Sequence, residues 1–347
     1  VGVALITEVV VRRGATLHKA PVGTAGHRGL LSWDGDWYFR IARHGYDSVG
    51  HDGLRFFPLL PLLARGLAPV TGGVGPALII IAGVASLAFA ALLHRLVATD
   101  TGDRGLAQRS AWLVSLAPMA FVLVMGYTEA LAGALAVAAF LGARQRRWHW
   151  AAVAGLLAGA LRPSGILLVA PLAWEGARRF GKASGHERAW IVTAVAAPVV
   201  GTVPYLAWVQ AQYGDWKLPY SVQQADYLRG GWANPIGRVV DALSNLDGGD
   251  LVLGLRGVWV LVAGALLIVA ARRLPGSYVI FAAVTLVVAA STEHLGSVER
   301  YAYGAFPLVV AAATLIEHPD VERAVLAISG AAMSAYALLA FLDLYVP

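Results

Sequence analysis

No cysteine occurs in the 347 residues, which excludes disulfide bonds, thiolate catalysis and cysteine-ligated zinc. Lysine is nearly missing as well: Lys19, Lys182 and Lys217 are the only three, and arginine carries the rest of the basic charge. Charged residues of either sign make up 14% of the chain, against about 25% in soluble domains. Apolar residues take their place, at 58% of the sequence with a mean hydropathy of +0.64. Such a composition excludes an ordinary soluble domain and identifies an integral membrane protein. The formal charge of +6 sits in short loops where membrane topology accounts for it, so nucleic acid is not an expected partner. No stretch reads as a separate soluble unit, and residues 1–347 are expected to form a single membrane domain.

The apolar runs place spans at about 1–12, 76–98, 106–125, 127–143, 150–161, 164–174, 190–210, 251–271, 276–292, 301–316 and 323–345. The first begins already apolar and reads as the remainder of a longer span. All are expected to be helices, because an unpaired strand cannot satisfy its backbone in lipid. The expected class is therefore an all-α polytopic protein with about 10–11 transmembrane helices. Residues 13–75 form its first external loop and 211–250 its second, the latter carrying Trp216, Tyr220, Tyr227 and Trp232.

Basic residues alternate between the joins. Arg95/Arg104/Arg109, Arg144/Arg146/Arg147, Arg178/Arg179/Lys182/Arg188 and Arg272/Arg273 fall in one set of loops, whereas Gly126-Tyr127 has none. The positive-inside rule makes the basic set cytoplasmic. Counting crossings then requires that 56–70 does not span. Its roughly 15 residues reach only about 22 Å as a helix, and Pro58, Pro61 and Pro69 interrupt it, so short interfacial helices are expected there. The same count makes 148–175 a helical hairpin with short arms and Arg162-Pro163-Ser164-Gly165 at its tip.

With the topology fixed in this way, Asp34, Asp36, Glu129, Arg162, Asp215, His294, Glu299 and Arg300 all fall on the external side. Ionisable groups at a membrane edge are costly unless they are used, and their convergence predicts one site. Each alone has a structural reading, since interfacial arginines snorkel and Trp/Tyr belts are common. Asp34 stands out because Trp33 and Trp37 flank it in Trp33-Asp34-Gly35-Asp36-Trp37-Tyr38. Apolar surroundings would raise its pKa and strengthen it as a base. Asp34 and Asp36, with His44 or His51 nearby in sequence, could instead hold a metal, although the spacing fits no standard ligand pattern.

The run Trp33 to Tyr38, followed by Ile41-Ala42-Arg43-His44-Gly45-Tyr46 and Phe56-Phe57-Pro58-Leu59-Leu60-Pro61, resembles the first luminal loop of the PIG-V family, the second mannosyltransferase of glycosylphosphatidylinositol assembly. Further along, Tyr127-Thr128-Glu129-Ala130-Leu131, Arg162-Pro163-Ser164-Gly165, Arg300-Tyr301 and Phe306-Pro307 are similar, more loosely but in the same order, to later elements of that family. The chain departs from the family at Asp36, commonly Glu, and at Pro163. Its preference for Arg over Lys and its Ala/Gly richness point to a bacterial, actinobacterial member. No such glycolipid pathway is expected in a bacterium, so the acceptor is the least transferable part.

The resemblance implies the fold of the GT-C glycosyltransferases, a catalytic acid in the first external loop, and a polyprenyl-phosphate-linked sugar, mannose, as donor. No cofactor or metal is expected. The expected acceptor is a glycolipid or glycan, and the active site faces outward from a bacterial plasma membrane, or the lumen if the source is eukaryotic. Inverting transfer needs one carboxylate as general base, here Asp34. Arg300 first and Arg162 second are the expected phosphate ligands, with His294 as a hydrogen-bond donor and Tyr301 and Glu129 orienting the donor head or an arginine. Two other classes share many of these features. A multispan transporter should show an internal repeat and charges at mid-membrane depth, neither of which is visible, whereas a non-catalytic scaffold subunit could keep the same residues.

Overall fold

The computed structural model describes residues 28–247, 251–342 and 345–346. The expected partial span at 1–12 and the beginning of the first loop lie outside these residues. The described chain is almost wholly helical. Its helices are α1 (Asp34–His44), α2 (Leu59–Thr71), α3 (Val74–Thr101), α4 (Arg104–Leu116), α5 (Glu129–Arg144), α6 (Trp148–Leu161), α7 (Val169–Phe180), α8 (Gly185–Tyr213), α9 (Leu218–Gln223), α10 (Pro235–Ser244), α11 (Leu251–Arg273), α12 (Gly276–Ala290), α13 (Val298–Gly304), α14 (Phe306–Ala313) and α15 (Pro319–Phe341). Among the described residues, four stretches are long and apolar enough to cross a bilayer: Val74–Thr101, Gly185–Tyr213, Leu253–Arg273 and Pro319–Phe341. The protein is an integral membrane protein.

Several expected spans are broken where the sequence suggested continuous rods. The run at 106–125 stops as a helix at Leu116, because the next residue precedes Pro118 and takes an extended conformation. A buried 3-10 turn, Ala120–Val124, follows. Irregular backbone of this kind survives at membrane depth only when protein surrounds it, and all five of its residues are buried. The run at 301–316 breaks at Ala305, just before Phe306-Pro307, into α13 and α14. The return arm of the 148–175 hairpin starts as a 3-10 turn, Pro163–Leu168, before α7. The second external loop is itself structured, by α9 and α10. In the first, the Trp33–Tyr38 motif forms the opening turns of α1.

The 16 residues of α5 measure about 24 Å at 1.5 Å per residue and join the two ends of the bundle. Glu129 begins the helix and Arg144 ends it. At the Arg144 end, the guanidinium bonds Asp100 of α3 (3.2 Å) and Glu175 of α7 (3.3 Å), while the Tyr278 hydroxyl of α12 donates to Asp100 (2.8 Å). One half-buried network thus ties four helices beside the basic loops. Tyr205, near the far end of α8, donates its hydroxyl proton to the Leu54 carbonyl of the first loop (2.7 Å). That loop therefore lies at the end opposite the basic joins.

Helices α6 and α8 cross closely because glycines leave their backbones uncovered. A Cβ at Gly159 would stand 1.9 Å from the Pro198 carbonyl oxygen, and one at Gly201 would stand 2.0 Å from that of Leu156. This crossing fixes where α6 ends, and hence where Arg162 sits. We expect Gly201→Ala to destabilise the fold by about 1–3 kcal/mol through overpacking. Gly83→Ala, whose Cβ would meet nothing within 4 Å, should be neutral or stabilising by up to about 1 kcal/mol. Thermal unfolding of the detergent-solubilised protein, followed by tryptophan fluorescence, checks this; indistinguishable melting temperatures for the two variants would contradict the packing argument.

Candidate active site

At the end of the bundle opposite the basic joins, four segments distant in sequence bring charged groups together. Asp34 opens α1, where the helix dipole favours a carboxylate in the first turn. Its peptide N–H donates to the Tyr127 hydroxyl (3.3 Å), and the Gly126 N–H donates to the Leu30 carbonyl (2.8 Å), so the motif is docked on the segment leading into α5. Trp33 takes a positive φ of 56°, a conformation unusual for a bulky residue. Its indole N–H donates to the Ala340 carbonyl in α15 (3.2 Å). Trp37 stacks on Phe56 at 5.5 Å and Tyr38 meets the same ring edge-on at 5.1 Å. The motif's aromatics therefore clamp the Phe56-Phe57-Pro58 segment and α15.

The defining contacts of Asp34 are polar. Arg300 Nη1, on α13, lies 2.7 Å from its Oδ2, and Arg300 Nε lies 3.7 Å from Glu129 Oε1. Arg162, in an extended conformation at the end of α6, bonds the same Glu129 oxygen at 3.2 Å. Glu129 thus bridges two arginines. The two carboxylates differ in access: the Asp34 side chain is 29% exposed and that of Glu129 6%. Incoming substrate can reach Asp34, whereas Glu129 is enclosed by guanidinium groups.

The Tyr301 ring is the hub of the arrangement. Guanidinium groups stand over it at 4.5 Å (Arg229), 5.6 Å (Arg162) and 5.8 Å (Arg300), distances at which a ring face attracts cations. Arg300 also lies 5.4 Å from the Tyr127 ring. Asp34, Glu129, Arg162, Arg300 and Tyr301 are therefore brought together. Among described residues, two lines of sequence reasoning missed members of this set. Arg229, inside the second external loop, was unassigned. Tyr127 was seen only as part of a span start. The flanking Gly230-Gly231 pair was the one local sign that Arg229 is set on a tight turn.

The other candidates lie apart. Asp36 forms an ion pair with Arg28. His44 ends the same helix that Asp34 begins, about 15 Å away along its axis, and is exposed. The His51 ring packs edge-on against Tyr213 at 5.4 Å. His294 is exposed, and its peptide N–H donates to the Arg229 carbonyl (3.0 Å). Among the described residues, no three His, Asp or Glu side chains gather in a way that could hold a metal ion. An apolar groove between α7 and α8, lined by Val169, Phe180, Ile191 and Val199, offers no polar group to a reacting centre.

No protein-family model and no curated protein sequence matches the chain. Among solved structures it is similar to ArnT from Cupriavidus metallidurans bound to undecaprenyl phosphate, at 17% identity and a TM-score of 0.56, over 87% of this chain and 59% of that one. It spans less than two thirds of that protein's length. Two structures from Archaeoglobus fulgidus also match at 10% identity. One is an oligosaccharyltransferase in complex with zinc and sulfate, with a TM-score of 0.46 over 97% of this chain and 53% of that one. The other is the oligosaccharyltransferase AglB with an inhibitory peptide and a dolichol-phosphate, with a TM-score of 0.45 over 99% and 56%. The likeness to ArnT establishes the GT-C fold for this chain.

The shared carboxylate makes a direct prediction. Glu129→Gln leaves Arg162 and Arg300 with one fewer counter-charge in a buried setting and should destabilise the protein by about 3–5 kcal/mol. Adding Arg162→Gln should recover part of that loss, read as a positive coupling in a double-mutant cycle of thermal stability. Strict additivity of the two substitutions would contradict the bridging role of Glu129.

Proposed function

We propose that this chain is a membrane glycosyltransferase. It moves a sugar from a polyprenyl-phosphate donor to a hydroxyl of a glycolipid or glycan, with inversion at the anomeric carbon and Asp34 as general base. The observation that carries this reading is the Asp34–Arg300 pair at 2.7 Å, a reachable carboxylate bound to a guanidinium of a group with excess positive charge. The GT-C fold supports it, as does the undecaprenyl phosphate bound by the structurally similar ArnT. The choice of mannose rests on the resemblance to the PIG-V family alone.

In this mechanism Asp34 takes the proton of the acceptor hydroxyl as its oxygen bonds to the anomeric carbon. The bond from that carbon to the phosphate oxygen breaks, and its electron pair leaves on the lipid phosphate. A phosphate is a good leaving group at neutral pH, so no general acid is needed, but arginines must hold its charge. Inversion places base and leaving group on opposite faces of the sugar. Arg300 must therefore withdraw from Asp34 as the phosphate docks. Glu129, 3.7 Å from Arg300 Nε, is the carboxylate toward which it can turn. Capture of Arg300 by phosphate frees the Asp34 carboxylate, so donor binding precedes activation of the acceptor. That the site lies opposite the basic loops supports, by the positive-inside rule, an active site on the extracytoplasmic face.

Asp34→Asn should keep the fold and the binding of polyprenyl phosphate but lower transfer by about 10²–10⁴-fold, the usual range for loss of a general base. Transfer of labelled mannose from polyprenyl-phosphate mannose in membranes, followed by separation of lipid and glycan products, measures it. Near-normal turnover by this variant would remove Asp34 from the mechanism.

A further inference from the structure

Around Tyr301 three guanidinium groups face two carboxylates. Glu129 serves Arg162 and Arg300, and Asp34 serves Arg300. Arg229 has no acidic partner among the described residues. Its Nη2 donates to the Ala289 carbonyl at 2.8 Å and reaches the Thr292 hydroxyl at 3.5 Å, and its Nε is buried without a hydrogen-bond partner. The group therefore carries one positive charge more than it neutralises, with the Arg229 Nε buried, where an unpaired cation is costly.

Arg229 is not the only group that holds its loop in place. The 229–233 segment pairs with 291–294 through backbone bonds: Ala233 N–H to Ser291 O (3.2 Å), Glu293 N–H to Gly231 O (3.1 Å) and His294 N–H to Arg229 O (3.0 Å). The Gly231 N–H donates to the Glu293 carboxylate (3.1 Å), and Arg238 Nη1 donates to the Glu293 carbonyl (3.2 Å). Tyr227 donates its hydroxyl proton to Asp52 at 2.7 Å, tying the second external loop to the first. That bond lifts the Tyr227 phenol above its ordinary pKa. Gly230 makes the turn at a φ of +67°, and a Cβ there would stand 2.4 Å from a Glu293 carboxylate oxygen. The strap thus delivers an uncompensated guanidinium to 4.5 Å from the Tyr301 ring and attaches it to the segment that runs directly into Arg300.

We propose that Arg229 is a third phosphate ligand of the donor site, carried by the second external loop, and that the 229–233/291–294 strap holds it in register with Arg300. This rests on the donor reading above. The ligand chemistry is a phosphate monoester or diester on a lipid. When it docks, the surplus charge gains its counter-ion, and Arg229 takes the oxygens that Arg300, turned toward Glu129, leaves uncovered.

The test is equilibrium binding of undecaprenyl phosphate to the purified full chain in detergent, beside the neutral alcohol undecaprenol and inorganic phosphate as competitor. Arg229→Gln should weaken phosphate binding by about 10- to 100-fold, the loss of one charge-assisted hydrogen bond, and leave undecaprenol unchanged, while Arg229→Lys should recover part of the affinity. Gly230→Ala, which displaces the strap without altering charge, should weaken phosphate binding in the same direction. An unchanged phosphate affinity in Arg229→Gln would overturn the proposal, as would equal loss for phosphate and alcohol, which marks a structural strut. Displacement of the lipid by inorganic phosphate at equal concentration would overturn the assignment to a lipid. If Arg300→Gln abolishes binding and Arg229→Gln does not, this inference fails and the donor reading stands; if the unsubstituted protein does not prefer the phosphate over the alcohol, both fail.

Discussion

The ion pair between Asp34 and Arg300 joins two side chains 266 positions apart in sequence, and the end of the bundle opposite the basic joins is built around it. A guanidinium that is 8% exposed cannot be left alone in such surroundings. It is met by Asp34 on one side, by Glu129 on the other, and by the faces of Tyr127 and Tyr301. Asp34 and Glu129 begin helices, Tyr127 stands just before one, and Tyr301 lies in a short one. Moving any one segment would break a buried charge contact, so the charge group acts as a constraint on the fold as well as a site.

Two ends of one bundle carry two kinds of polar network. Beside the basic loops, Arg144 is bonded to Asp100 and Glu175, with Tyr278 completing the set. There the acids outnumber the arginine, and the arrangement locks four helices. About 24 Å away along α5, arginines outnumber acids, and one carboxylate stays reachable. The first network has no charge to offer an anion. The second has a surplus positive charge and a reachable carboxylate, the combination on which the proposed transfer from a phosphate-linked donor rests. The same helix therefore carries Arg144 of the structural anchor at one end and Glu129, the carboxylate that bridges Arg162 and Arg300, at the other.

Much of this was legible in the sequence because membranes restrict the choices. Apolar runs had to be helices, and the alternation of arginine-rich joins separated the Asp34 end from the Arg144 end. Asp34, Glu129, Arg162 and Arg300 could be picked out as costly residues at span ends, and Tyr301 came with the family resemblance. The breaks at Ala117 and Ala305 were harder to see, since hydropathy does not register backbone conformation, although Pro118 and Pro307 marked both. The reading of Trp33 and Trp37 as an apolar jacket for Asp34 missed their partners, Ala340 and Phe56, which only the folded chain brings near. His44 was near Asp34 in sequence but at the opposite end of α1, a separation that helix rise imposes. Arg229 escaped notice because its place depends on strap pairing between segments about 60 residues apart, a non-local feature with no periodic signature.

The central claim is that phosphate takes Arg300 from Asp34 and so releases the base. A structure of the protein with polyprenyl phosphate bound in a lipid nanodisc tests it most directly. The account predicts phosphate density in contact with the Arg300 guanidinium and an Asp34 carboxylate no longer within hydrogen-bond distance of it, with space for a sugar between. Phosphate bound elsewhere, with the Asp34–Arg300 pair still closed at 2.7 Å, would contradict it.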